Sequence, residues 1–140
     1  MKLLKRLLWS VLILIAVRAV VANAMPPSGE KSQQFLDGVV AVMNKNYPKL
    51  LPTGVRIERV SSEKLTLTWH KTVLDENTSA DMRRISSAER STRQKESRAE
   101  ICMTAQFTKL FDAGFNVRNI YRDKAGVVLM DTVTRPTDCK

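Results

Sequence analysis

Apolar side chains recur every three or four residues in the part of the chain that follows its hydrophobic N-terminus. Over residues 32–47 these positions fall on one face of a helix; they are Phe35, Leu36, Val39, Val40, Met43 and Tyr47. Ser32 can cap the start of this helix, and Pro48 and Pro52 end it and give an extended link. We therefore predict a first helix over residues 32–47.

Two stretches after this helix have the period of a β-strand. In residues 65–74 apolar and polar side chains alternate: Leu65, Leu67 and Trp69 stand between Thr66, Thr68 and His70. Residues 55–60 alternate in the same way, and the polar residues 61–64 between the two stretches are suited to a turn. This pattern predicts a hairpin with one buried face, and it places His70 on the outward face.

A charged segment separates this hairpin from the rest of the domain. Residues 81–100 contain six basic and four acidic side chains and few apolar ones, so no face of the segment can be deeply buried. Ser79 is the expected cap of the helix that it forms. Residues 101–113 are more apolar and predict a buried helix that ends at Gly114. The two stretches form either one bent helix or two helices with a mobile join near residues 92–97.

A second hairpin is predicted near the C-terminus. Residues 115–121 and 127–133 carry alternating apolar positions on either side of a polar turn. The element order is therefore helix, hairpin, helical segment, hairpin. Runs of antiparallel strands with segregated helices are typical of an α+β domain. We predict a four-stranded antiparallel sheet with the helices packed on one face.

The N-terminus has the composition of an export signal. Three basic residues precede an apolar stretch over residues 7–17, and Ala22 and Ala24 are small residues at the two positions that a signal peptidase reads. We predict a signal peptide over residues 1–24 and a single exported domain over residues 25–140.

An uncleaved membrane anchor is the alternative for the same segment. Residues 7–24 form a stretch of 18, which is near the lower limit for a helix that crosses the bilayer. Arg18 lies within it, and an ionised arginine in hydrocarbon costs about 3 kcal/mol on insertion scales. In both cases the basic N-terminus stays inside and the domain lies outside the cytoplasm, in the periplasm of a bacterium or secreted. No cysteine follows the apolar stretch, so a lipoprotein anchor is not indicated.

Net charge and cysteine content limit the partners and the compartment. The chain of 140 residues has a formal charge of +9, from 23 basic and 14 acidic side chains. Four of the basic residues lie within residues 1–24, so the domain that follows keeps 19 bases against 14 acids and a charge of only +5. Cys102 and Cys139 are the only cysteines, and an even number in an exported domain predicts a disulfide bond between them.

No catalytic or metal-binding motif stands out in the sequence. His70 is the only histidine, and no Gly-x-Ser-x-Gly motif is present to provide a serine nucleophile. One histidine and two bridged cysteines leave no ligand set for zinc, and the carboxylates lack the spacing of a calcium loop. We therefore predict no metal, no cofactor and no enzymatic activity. Carboxylates that meet only in the folded protein keep a small envelope hydrolase as an alternative.

These features predict an exported, non-enzymatic binding protein that acts as an accessory or inhibitory partner of another envelope or secreted protein. Its expected contact surface is the charged segment, whose cations are Arg83, Arg84, Arg90, Arg93, Lys95 and Arg98. Such a surface suits an acidic protein partner. Nucleic acid is not expected, because no aromatic side chain is interleaved with these cations and export removes the domain from cellular DNA. If residues 1–24 stay uncleaved, the alternative is a membrane-anchored immunity or exclusion factor that displays the domain in the periplasm.

Overall fold

Five strands and four α-helices make up the part of the chain described by the computed structural model, residues 30–140. Their order is α1 (Glu30–Asn44), β1 (Lys49–Leu50), β2 (Val55–Glu63), β3 (Thr66–Val73), α2 (Glu76–Arg84), α3 (Ser87–Met103), α4 (Ala105–Asp112), β4 (Asn116–Arg122) and β5 (Val128–Thr134). A short 3₁₀ turn, Pro136–Cys139, follows β5. The predicted α+β class is confirmed, whereas the predicted signal peptide over residues 1–24 lies outside the described residues.

The strands form one mixed sheet in which their spatial order follows their order along the chain. Both predicted hairpins, β2–β3 and β4–β5, are present and antiparallel. Strands β3 and β4 run parallel, from Thr66 opposite Asn116 to Thr72 opposite Arg122. The prediction of a four-stranded antiparallel sheet is therefore wrong: β1 adds a fifth strand, and the central pair is parallel. A parallel pair requires a long crossover connection, which the helical segment between β3 and β4 provides.

Two breaks divide this helical segment, and neither lies where the sequence predicted a join. Residues 92–97 are inside the unbroken helix α3. The breaks are at Ile85 and Thr104, where the backbone is extended. Ser86 caps α3, because its hydroxyl accepts a hydrogen bond from the backbone N–H of Glu89.

The cap of α2 is Asp75 and not Ser79. The Asp75 carboxylate accepts a hydrogen bond from the backbone N–H of Thr78 at 3.0 Å. Ser79 is buried inside the helix instead, and its hydroxyl donates to the carbonyl oxygen of Val73 at 3.4 Å. Helix α1 also differs from its prediction at both ends, since it begins before Ser32 and ends at Asn44.

The core lies between one face of the sheet and helices α1 and α4. Its buried side chains come from both layers and are Leu36, Val39, Met43, Ile57, Val60, Leu67, Trp69, Ile101, Leu110, Phe111, Phe115 and Val117. Aromatic contacts join the helices to the sheet region: the rings of Phe35 and Phe115 stack at 5.9 Å, and the ring of Phe107 meets Trp69 edge-on at 5.4 Å. Within residues 30–140 no helix has the length and apolar character that crossing a bilayer requires.

Helix α3 lies along the free edge of β5 and satisfies its backbone. Side chains four residues apart on the helix donate to carbonyl oxygens two residues apart on the strand: Arg90 to Leu129, Gln94 to Asp131 at 3.1 Å, and Arg98 to Val133 at 3.0 Å. The spacings match, because four helical residues rise about 6 Å and two strand residues about 6.8 Å. We call these three hydrogen bonds the edge contacts. They occupy acceptors that an unprotected edge strand would offer to another chain.

The opposite edge of the sheet is covered in a similar way. Strand β1 pairs with β2 over only two residues, where Lys49 lies opposite Ile57 and Leu50 opposite Arg56. Further along β2, the Asn44 side chain takes the place of a neighbouring strand. Its Nδ2 donates to the Val60 carbonyl at 2.9 Å, and its Oδ1 accepts from the Val60 N–H at 2.8 Å.

A disulfide bond joins Cys102 and Cys139, as the sequence predicted. Their Cα atoms are 5.2 Å apart, across 37 residues of sequence. The bond ties the last turn of α3 to the 3₁₀ turn that follows β5. It therefore closes a loop that contains α4, β4 and β5, and it fixes α3 near the edge strand that it covers.

The edge contacts yield a test of stability and association. Replacing Arg90, Gln94 and Arg98 together with methionine keeps the apolar stems but removes all three donors. We expect urea unfolding to show a loss of about 1 kcal/mol for each hydrogen bond removed. We also expect sedimentation to show concentration-dependent self-association, since the edge of β5 becomes open to pairing.

The matched control changes Arg93 and Lys95, which lie on the same helix without bonding to β5, to methionine. The control should keep near-native stability and stay monomeric at concentrations where the triple variant associates. If both variants lose the same stability, the effect comes from surface charge or helix propensity, and the edge contacts do not stabilise the fold. The single variant Gln94→Met provides the same comparison if the triple variant does not fold.

The disulfide bond yields a second prediction. Alkylation of the unfolded protein without reductant should label neither Cys102 nor Cys139. Replacing both with serine should lower the free energy of unfolding by about 4 kcal/mol on the chain-entropy model for a loop of this length. Wild-type protein unfolded in reductant should match the double variant, and equal stability with and without reductant would contradict this role.

Candidate interaction surfaces

The six cations predicted to bind a partner lie on α2 and α3, but most of them are used within the domain. Arg90 and Arg98 make the edge contacts with β5. Arg93 pairs with Glu89 one helical turn away at 3.0 Å. Arg84 and Lys95 are exposed, and among the described residues neither has a bonded partner. These two remain fully available for a partner on the charged segment.

Arg83 holds the turn between β4 and β5. Its Nη1 lies 2.9 Å from Oδ2 of Asp123, and its Nη2 lies 2.5 Å from Oε1 of Glu76. The buried Asp123 side chain also accepts backbone hydrogen bonds from Ala125 and Val127, each at 2.9 Å. The Arg83 guanidinium and these N–H groups hold the pKa of the Asp123 carboxyl below its usual value. Arg83 therefore has a structural role, with its other face directed to solvent.

A second group of cations lies on the face of the sheet opposite the core. Strand residues alternate between the two faces, so the neighbours of buried Val60, Leu67, Trp69 and Val117 point away from α1 and α4. We call this surface the open face. Its side chains on β2 to β5 include Arg56, Arg59, Ser61, Glu63, Thr66, Thr68, His70, Thr72, Arg118, Ile120, Arg122 and Asp131.

His70 stands at the centre of the open face and bonds through both ring nitrogens. Its Nε2 lies 2.7 Å from the Ser61 hydroxyl, and its Nδ1 lies 3.1 Å from Nη1 of Arg122. A guanidinium can only donate, so Nδ1 is the acceptor and the proton of the neutral ring is on Nε2. The ring therefore donates to Ser61 and is held in one tautomer.

Burial and the neighbouring arginines both disfavour the charged form of His70. Its pKa is lowered from 6.5 to about 4, first by burial and then by Arg59, Arg122 and Arg118. Three arginines on two different strands thus act on one imidazole. The ring is therefore neutral near pH 7.

Carboxylates compensate only part of this charge. Arg118 binds Asp131 with two hydrogen bonds, of 2.8 and 2.5 Å, and the pKa of Asp131 is lowered chiefly by this contact. Arg56 pairs with Glu58 at 2.6 Å. Arg59 and Arg122 have no carboxylate bonded to them among residues 30–140. These two guanidiniums are the ones on the open face without a bonded carboxylate, although Asp131 also interacts with Arg122 at longer range.

Sequence reasoning found the charged segment but missed the cations of the open face. The alternation in β3 did place His70 on the outward side. The β2–β3 hairpin places Arg59 beside it. The arginines of β4 reach it only because β3 pairs in parallel with β4, and no local pattern indicates that pairing. Residues 30–140 contain no cluster of three or more histidine, cysteine or acidic side chains that could hold a metal ion.

Similarity to known proteins is confined to structure. No protein family and no curated protein sequence matches the chain. A Pseudomonas aeruginosa protein whose name classes it as secreted has a similar structure, with a TM-score of 0.68 and 12% identity over 81% of this chain and 100% of that one.

Two similar structures are pilotins. The pilotin EpsS of the Vibrio vulnificus type 2 secretion system gives a TM-score of 0.61 and 18% identity over 81% of this chain and 98% of that one. The pilotin AspS of the Vibrio cholerae type II secretion system gives 0.56 and 13% identity over 78% of this chain and 93% of that one. At these identities the likeness shows a shared fold, and it covers nearly the whole length of each of the three proteins.

Proposed function

We propose that the protein is an exported, non-enzymatic accessory protein of the bacterial cell envelope that binds another envelope protein. The observation that carries this proposal is the fold. Residues amounting to 81% of the chain superpose on nearly all of a secretion-system pilotin, and a protein named as secreted has the same architecture. Both pilotins are named as parts of a type 2 secretion system, so we assign a role of the same kind to this chain: an accessory or inhibitory partner of another envelope protein.

Export is supported by two independent features. Residues 1–24 have the order of parts expected of a signal peptide. The Cys102–Cys139 disulfide belongs to an oxidising compartment, since cytoplasmic thiols are kept reduced. The anchored immunity or exclusion factor is the alternative that the same N-terminal segment supports. The intact mass of the envelope protein separates the two, because cleavage makes Met25 the first residue and an anchor leaves Met1.

The geometry of the only histidine supports a role other than catalysis. Ser61 and His70 are as close as a nucleophile and its base, at 2.7 Å. A general base must offer its lone pair to the serine, whereas here Nε2 carries the proton and Arg122 occupies the nitrogen where a triad would place a carboxylate. The pair is therefore a structural hydrogen bond within a cationic surface.

The carboxylates give no support to the hydrolase alternative. A glycosidase requires one carboxyl group whose pKa is raised so that it can donate a proton. The carboxyl groups with a shifted pKa within the described residues, Asp37, Asp75, Asp123 and Asp131, all have it lowered. Each of them accepts hydrogen bonds that hold it ionised. We therefore assign no reaction to this surface.

The state of His70 can be tested by NMR. Nitrogen shifts of the imidazole should show the Nε2-protonated neutral tautomer near pH 7, with a titration midpoint at about pH 4. Because the unfolded chain binds this proton near pH 6.5 and the folded protein only near 4, unfolding free energy should fall as pH drops across that interval. His70→Gln should remove this part of the pH dependence. A midpoint near 6.5, or the Nδ1 tautomer, would contradict the arrangement.

A cellular cross-linking experiment tests the proposed function. A photo-reactive amino acid is placed at Lys95 in the full chain, which is expressed with its own N-terminus in its native host. We expect the protein in an envelope fraction and a discrete cross-linked product with one exported protein. Deleting the gene of that protein should abolish the product.

The cross-linking control uses the exposed Asp112 on α4, away from the charged segment, as the site of the same photo-reactive residue. A product from Lys95 alone supports both the role and the charged segment as a contact. A product from Asp112 alone keeps the role and excludes the segment. Recovery of the full-length chain in the cytoplasm, or turnover of envelope polymer by the purified protein, would overturn the proposal.

A further inference from the structure

The open face has the form of a trough with cationic sides. Its floor is β3, whose outward side chains are the short or neutral Thr66, Thr68, His70 and Thr72. On one side, β2 contributes Arg56 opposite Thr72 and Arg59 opposite His70. On the other side, β4 contributes Arg118 opposite Thr68 and Arg122 opposite Thr72. Because neighbouring strands are about 4.8 Å apart, the two arginine rows are about 10 Å from each other, the width of one extended chain.

Two of the four arginines that line this trough are bonded to a carboxylate, and two are not. Arg118 is bound by both oxygens of Asp131, and Arg56 by Glu58. Arg59 and Arg122 lack a carboxylate among residues 30–140, and they stand on opposite sides of the trough. Arg122 uses one N–H group on His70 and keeps others for a ligand. An anionic group lying over His70 could therefore be met by a guanidinium from each side.

The polar floor is itself held in place. His70 is fixed between Ser61 and Arg122, so the ring cannot turn to present a different set of donors. Thr68 and Ile120 of this face are buried. The surface is thus ordered before any ligand arrives, which lowers the entropy cost of binding.

We propose that the open face binds an extended acidic polypeptide segment of the envelope partner, with carboxylates bonded to Arg59 and Arg122. This inference rests on the proposed function, since it names the surface and the chemistry of that partner. Carboxylates fit the guanidiniums of Arg59 and Arg122, because arginine binds carboxylates in a planar, two-bonded geometry.

Other anions fit this surface less well. The open face carries none of the aromatic side chains on which single-stranded nucleic acid stacks. Its apolar side chains offer little to a lipid surface: Ile120 is buried, and the exposed ones beside Arg122 are the adjacent Val127 and Val128 at the start of β5. A polypeptide with alternating acidic residues matches the period of β3 below it and the width of the trough.

The binding test uses protein purified from the cell envelope after expression of the full chain. The probe is a fluorescein-labelled peptide of Glu-Thr repeats, and a peptide of Gln-Thr repeats is the uncharged control. We expect the acidic peptide to bind and the control not to bind. Arg59→Gln combined with Arg122→Gln should weaken binding about tenfold, since each exposed charge pair contributes up to about 1 kcal/mol.

Two further variants test whether net charge alone, and not the position of the arginines, accounts for binding. Arg84→Gln combined with Lys95→Gln removes the same net charge from the charged segment, and it should leave the affinity within about twofold of wild type. Thr72→Glu keeps both arginines but places a carboxylate on the floor of the trough, where it competes with the ligand and should also weaken binding about tenfold. The proposal fails if the Arg84 and Lys95 variant loses as much affinity as the Arg59 and Arg122 variant.

The same proteins are mixed with phosphatidylglycerol vesicles and with single-stranded DNA. If either binds through Arg59 and Arg122 while the acidic peptide does not, the ligand class is wrong and the proposal is overturned. In cells, a photo-reactive residue at Thr72 should cross-link to a carboxylate-rich segment of the partner. Cross-linking from Lys95 or Asp112 but never from Thr72 would refute the open face and leave the proposed function intact, whereas no cross-link from any of the three positions refutes both.

Discussion

The parallel pairing of β3 with β4 is the constraint on which the rest of the structure depends. Strands that run the same way cannot be joined by a turn, so the chain must travel back along the sheet before β4 begins. Helices α2, α3 and α4 are this return path. Their position follows from it: α4 adds to the core, and α3 passes along β5 and covers the sheet edge. The disulfide between Cys102 and Cys139 closes the same arrangement by joining the end of α3 to the chain after β5.

In this topology the arginines of the domain have two different roles. On α3, Arg90 and Arg98 act as hydrogen-bond donors to β5. In this role the length of the side chain matters more than its charge. The long stem of arginine allows a solvated helix to satisfy strand carbonyls without burying an apolar face. On the open face, Arg59 and Arg122 have no such task and lack a carboxylate within the described residues. Arg90 and Arg98, which belong to the most conspicuous cationic stretch of the sequence, are thus used in contacts within the domain.

Local features of the fold could be predicted from the sequence, but long-range ones could not. The alternation around Trp69 indicates a strand with one buried face, and the two cysteines indicate their own pairing. The period of a strand does not reveal which strand lies beside it, so two correct hairpins were combined with the wrong relative direction. The four-residue spacing of Arg90, Gln94 and Arg98 is present in the sequence. It matches the carbonyl spacing of β5 only because α3 lies beside that strand, and the sequence does not show this. The cluster around His70 depends on the same pairing and was missed for the same reason.

Side chains cover parts of both edges of the sheet, and this limits how a partner can bind. Helix α3 occupies the carbonyls of β5, and Asn44 together with the short strand β1 occupies backbone groups of β2. A partner therefore cannot extend this sheet at those positions by adding a strand, which is a common mode of peptide recognition. At these positions recognition proceeds through side chains, which offer specificity through charge and shape. The open face, with Arg59 and Arg122 on either side of a neutral floor, is a surface in the described part of the chain that meets this condition with two guanidiniums that are bonded to no carboxylate.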